Sequence, residues 1–105
     1  MDTVLILCKN NGIEKRTQIY SAFTTLSLEA ISRALSDYHY IGKCKMDPEI
    51  ANMILDIMNV RFDYRRNEYP FLTAAYILGL PSRFDEFVLP TTDKQFVMKM
   101  KSSYM

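Results

Sequence analysis

The sequence has no tryptophan, one histidine, two cysteines, three glycines and four prolines in 105 residues. So few glycines and prolines exclude collagen-like and linker-like chains. The glycines, at 12, 42 and 79, stand alone, so none of them builds a phosphate-cradling loop. One histidine and two widely separated cysteines cannot supply the paired ligands of a structural zinc site, and the sequence implies no metal and no cofactor. Charge of one sign is lacking too: 13 basic residues face 12 acidic ones, a net charge of +1, which excludes a bulk polycation that coats nucleic acid. The apolar run near the start, Val4 to Cys8, falls far short of the roughly eighteen residues that cross a bilayer. Met1-Asp2-Thr3 carries no basic lead ahead of that run, and this speaks against a secretory leader.

What the chain does have is a normal complement of core residues, 49% hydrophobic against 24% charged, which is enough to fold. A chain of this size hides roughly two-thirds of its extended surface on folding. With no repeat, linker or low-complexity stretch, residues 1–105 read as one globular domain. Cys8 lies within an apolar run, where a thiol behaves as a small hydrophobe, and no Asn-x-Ser/Thr sequon occurs. Together these indicate no disulfide framework, leave open a single bridge between Cys8 and Cys44, and favour a reducing compartment and a soluble, cytoplasmic protein.

Patterning along the chain predicts an α+β fold. Thr3 to Lys9 is rich in β-branched and aliphatic residues, Asn10-Asn11-Gly12 suits a type I′ turn, and Ile13 to Tyr20 alternates loosely, so a β-hairpin is expected. From Thr25 the period changes. Leu28, Ile31, Ala34, Leu35 and Tyr38 share one stripe, Ser27 can cap it, and a helix over about 27–38 follows, with Gly42 suited to a left-handed stop. Asp47-Pro48-Glu49 is a strong start for a second helix over about 48–60, with Ile50, Met53, Ile54, Ile57 and Met58 turned inward. A third helix is expected from Pro70 to Leu78, stopping at Gly79. A short fourth is expected over Arg83–Leu89 with Ser82 as its cap. Residues 95–101 alternate Phe96, Met98 and Met100 against Val97, Lys99 and Lys101, which reads as a half-buried edge strand with lysines outward. The expected order is ββααααβ, a small antiparallel sheet of hairpin plus terminal strand carrying the helices.

Constellations that could carry chemistry are sparse. His39 lies near Cys44, and Ser36, Asp37 and His39 include the residue types of a hydrolase triad, but all crowd one helix end. Asp85-Glu86 and Asp56 with Asp63 are the available carboxylate pairs, and helix capping accounts for Asp85 without catalysis. A helix-turn-helix reading of residues 70–89 fails on charge, since Arg83 is the only base in the would-be recognition helix. The chain is therefore expected not to be an enzyme, a small enzyme remaining the least favoured reading.

Residues 61–69 stand out instead. Arg61, Tyr64, Arg65, Arg66 and Tyr69 combine the two residue types that most often anchor protein–protein contacts, with Asp63 and Glu68 as a polar rim. The expected function is a non-enzymatic protein-binding module, an adaptor or an inhibitor that occludes a larger partner's functional surface. The alternative is binding of single-stranded or structured RNA by Arg65, Arg66, Lys99 and Lys101. No membrane partner is expected, and a homodimer paired edge to edge through the C-terminal strand is a further possibility in the pattern.

Overall fold

The computed structural model describes residues 3–8, 13–42 and 46–104 and contains no strand among them. Its helices are α1 (Thr3–Cys8), α2 (Ile13–Thr25), α3 (Leu28–Ile41), α4 (Pro48–Arg61), α5 (Glu68–Ile77), α6 (Pro81–Phe84) and α7 (Lys94–Tyr104), with a 3-10 turn at Asp85–Phe87 between the last two.

The helices with the clearest start signals lie where the sequence places them. Ser27 Oγ accepts from Ala30 N at 3.1 Å and opens α3, which Gly42 closes at φ 65°. Asp47 accepts from Glu49 N at 2.8 Å, and Pro48 takes the first position of α4, where its missing N–H costs nothing. Helix α5 begins two residues before the expected Pro70, a residue tolerated in the first turn. It ends in a Schellman motif: Leu80 N donates to Ala75 O at 3.0 Å and Gly79 N to Tyr76 O at 3.1 Å, with Gly79 at φ 67°.

The expected sheet does not occur among the described residues, and the α+β assignment is corrected to an all-helical fold. Both arms of the expected hairpin are helical, while its Asn10-Asn11-Gly12 turn lies outside the described residues. In α1 the neighbours Ile6 and Leu7 are both buried against α2 and α3, whereas in a hairpin with one face in water one of them would be exposed, since adjacent side chains on a strand point to opposite faces. In α2 and the residue that follows it, the inward positions are Ile19, Ala22, Phe23 and Leu26. That is an i, i+3, i+4, i+7 stripe, visible only when the window runs past Tyr20. The expected terminal strand is α7, where Phe96, Val97 and Met100 pack inward and Met98 stays 68% exposed. Strand alternation would have grouped Met98 with Phe96 and Met100. Asp93 starts this helix, accepting from Gln95 N through its side chain at 2.9 Å and from Val97 N through its carbonyl at 3.1 Å. With no strand there, the edge-to-edge homodimer loses its template. The expected 83–89 helix is shorter too: it starts at Pro81 rather than after a Ser82 cap, makes one turn and tightens into 3-10 geometry.

Two parallel helix pairs organise the packing. Arg16 pairs with Glu49 near the starts of α2 and α4, and Arg61 reaches carbonyls at the end of α2, so these two helices run in the same direction. Near the ends of α3 and α5 the His39 and Tyr76 rings meet edge to face at 5.6 Å, and nearer their starts Ser32 and Tyr69 line one recess, so that pair also runs in the same direction. Helix α1 lies against α2 and α3. The core is centred on Ile54, Leu55 and Met58 of α4 and Phe71, Leu72 and Ala75 of α5, and no polar or charged side chain is buried among the described residues. No helix among them is long and apolar enough to cross a membrane.

Candidate functional site

The 61–69 segment connects α4 to α5, and the structure divides its residues into two groups. Arg61 Nη1 donates to Phe23 O and Leu26 O, both at 2.6 Å, and its guanidinium lies 4.8 Å from the Phe62 ring centroid. Because α2 and α4 are parallel, this cation sits at the negative ends of both helix dipoles, where it also satisfies carbonyls that lack helical partners. Tyr64 is half-buried, edge to face with Phe87 at 5.4 Å and with Phe71 at 6.1 Å. These two expected contact residues hold the fold together. Arg65, Arg66 and Tyr69 are exposed. Arg65 lies 5.1 Å from the Tyr64 ring and 3.7 Å from Asp63, and Tyr69 stacks obliquely on Phe96 of α7 at 5.5 Å. Glu68, expected at a polar rim, faces inward instead: it accepts from Leu89 N at 3.1 Å and from the Thr92 hydroxyl, tying down the segment that leads into α7. Of the lysines assigned to nucleic acid, Lys101 pairs with Asp85 at 3.2 Å and Lys99 is exposed.

A larger concave feature adjoins this segment. Between α2 and α4 runs a trough of about 600 Å³. One wall is two parallel rows of α4 at i, i+4 spacing, Pro48–Asn52–Asp56–Val60 and Glu49–Met53–Ile57–Arg61; the other is Tyr20 and Thr24 of α2. The rows cover the whole length of α4, about 20 Å at 1.5 Å per residue. Val60 and Arg61 also line a second recess of about 480 Å³ that continues along residues 59–65, so the trough and the predicted segment form one surface. Val60 is 86% exposed and Tyr20 53% exposed, although both are large and apolar in body. The sequence does not single out Tyr20 or Val60, and it reads Met53 only as an inward residue of α4. The available signal was Val60, an aliphatic residue in register with Asn52 and Asp56 on the wet face of α4.

Polar contacts lie at the margins of the trough. The Arg16–Glu49 pair bridges one end and Arg61 fastens the other. Along the outer edge, Arg83 reaches Asp56 at 2.7 Å, Glu86 at 3.0 Å and Asn52 Oδ1 at 3.1 Å. Burial pushes the Arg83 guanidinium down, and the hydrogen bonds to Glu86 and Asp56 outweigh it and raise its pKa above the ordinary value. The exposure of these groups is unequal. The Glu49 and Asp56 side chains are 72% and 63% exposed, against 44% and 17% for Arg16 and Arg83. Carboxylates and guanidinium groups thus both reach solvent along the trough, the exposed Arg61 among them.

The candidate catalytic groups have other partners. His39 packs on Tyr76, Asp56 and Glu86 share Arg83, Asp63 accepts from Arg65 N at 3.0 Å, and Asp85 holds Lys101. Cys8, whose redox state the sequence left open, is disulfide-bonded, and Cys44 lies outside the described residues. No cluster of three His, Cys, Asp or Glu side chains suited to a metal ion occurs among the described residues. Comparison of the chain with protein-family models, with curated proteins and with solved structures found no match.

Proposed function

We propose that this protein is a non-enzymatic binding module that receives a helical segment of a larger protein in the α2–α4 trough, serving as an adaptor or as an inhibitor that covers the partner's working surface. The observation that carries this is the trough that runs the length of α4. Its length of about 20 Å corresponds to some three and a half helical turns, and Val60 is left 86% exposed beside it. An aliphatic residue so placed on an otherwise polar helix face gains only when something covers it. Ridges at i, i+4 spacing next to a second helix are also what a third helix packs into. Arg65 and Tyr69, beyond the Val60 end, extend the contact surface with residue types suited to anchoring.

The test is a single substitution, Val60→Glu. Because the side chain is outward, the melting temperature should stay within the shift expected for about 0.5 kcal/mol. Capture of the native partner by the tagged full chain should fall at least about tenfold, since a buried carboxylate would be left without a partner. Unchanged capture would refute the trough as the binding surface. Capture that disappears on nuclease treatment, and depends on Arg65 and Arg66 rather than on Val60, would replace this reading with nucleic-acid binding.

A further inference from the structure

The disulfide at Cys8 plays no part in the reading above, and it constrains a helix that cannot stand alone. We infer that Cys8 is joined to Cys44, the chain's other cysteine, and that the bond is a redox latch on α1. Closed, it keeps α1 docked; opened by a thiol reductant, it releases α1 while the remaining helices stay packed.

Helix α1 has six residues, too few to persist unaided. Thr3, Val4 and Ile6 are β-branched, no acidic residue lies in the first turn and no basic one in the last, so neither propensity nor the helix dipole supports it. What keeps it helical is docking: Ile6 and Leu7 are buried, and the helix packs against α2 and α3. The core is centred elsewhere, on α4 and α5, so it can outlast the departure of α1. Cys8, the last residue of α1, is half-buried beside the fully buried Ile6 and Leu7, which puts the bond at the rim of the core rather than inside it. In sequence Cys44 follows Gly42, the stop of α3, so the bridge ties the end of α1 to the chain just beyond a helix it packs against. Opening is a thiol–disulfide exchange. A reductant thiolate bonds to one sulfur as the S–S bond breaks, and the other sulfur leaves as a thiolate and takes up a proton. A second reductant thiol resolves the mixed disulfide, so the chain gains two thiols and the reductant departs as its own disulfide. Severing the bridge also frees a long loop of chain and removes the constraint that favours the docked state.

The experiment equilibrates the full chain in glutathione buffers of graded reduced-to-oxidised ratio and counts free thiols by alkylation and mass spectrometry. The chain should be a monomer with no free thiol at the oxidised end and two at the reduced end, with the midpoint inside the series. Circular dichroism should retain most of the helical signal on reduction. Amide exchange at Leu7 and Cys8, protected by a helix that starts at Thr3, should speed at least about tenfold more than at Ile54 and Leu55 of α4. The double variant Cys8→Ser/Cys44→Ser should match the reduced chain in every buffer. Equal acceleration at both sites, or loss of the helical signal, would make the bond a staple of the whole fold and overturn the latch. So would a bridge that no buffer opens, a chain that forms no bridge or a disulfide-linked dimer, and so would a double variant whose exchange still follows the glutathione ratio.

Discussion

Arg61 shows how a residue type admits two employments that differ only in direction. Its guanidinium closes two carbonyls at the end of α2 at 2.6 Å each and lies over Phe62, so it joins α2 to α4 although it is exposed to solvent. Replacing it with alanine should lower stability by about 1–2 kcal/mol, read as a lower urea midpoint with unchanged slope. Arg65→Ala and Arg66→Ala should each stay within about 0.5 kcal/mol of the parent, because nothing in the core depends on them. Equal losses at all three positions would contradict the contacts described for Arg61. Tyr64 divides in the same way. Its ring is edge to face with Phe71 and Phe87 while Tyr69 is exposed, yet both are tyrosines in one charged connector. Composition marks such a segment as unusual; the burial of each side chain depends on what the rest of the chain brings to it.

At the scale of elements, capping chemistry was legible and short periodicities were not. Ser27 and Asp47 can each be recognised from a handful of neighbours, because a cap is a local hydrogen bond between a side chain and a backbone N–H two or three residues on. The seven residues 95–101 fit period 2 and period 3.6 almost equally well, and the deciding feature was two residues outside that window, at Asp93. Replacing Asp93 with alanine should cost about 1 kcal/mol and speed amide exchange in the first turn of α7, at Gln95 to Val97, more than elsewhere. A change confined to other elements would argue against this cap. The first helices illustrate the opposite pull. Val4, Ile6 and the other β-favouring residues of α1 become helical because Ile6 and Leu7 are then both buried against α2 and α3. Strand preference amounts to a few tenths of a kcal/mol per residue, less than the roughly 1.5–3 kcal/mol gained by burying one aliphatic side chain.

For the whole molecule, Tyr38 on the inner face of α3 links packing to pH. Burial raises its phenol above the ordinary value of 10.0, so the folded state holds that proton more tightly than the unfolded chain does. Its contribution is therefore fully present below the unfolded value and is lost as pH rises through the higher folded one. Thermal stability should fall as pH climbs past about 10, and Tyr38→Phe should flatten that decline relative to the parent protein; an identical decline in both would dissociate it from Tyr38. By itself the sequence determined the starts of α3 and α4, the left-handed stops at Gly42 and Gly79, and the inward stripes of the helices they bound. Each of these is decided within one or two turns of chain. Only the tertiary structure decided that both terminal regions are helical, that Arg61 and Glu68 fasten distant elements, and that Val60, Tyr20 and Asp56 share one trough. Those outcomes depend on surfaces from different helices meeting, and apolar burial between elements outweighs the small local preferences that the sequence displays.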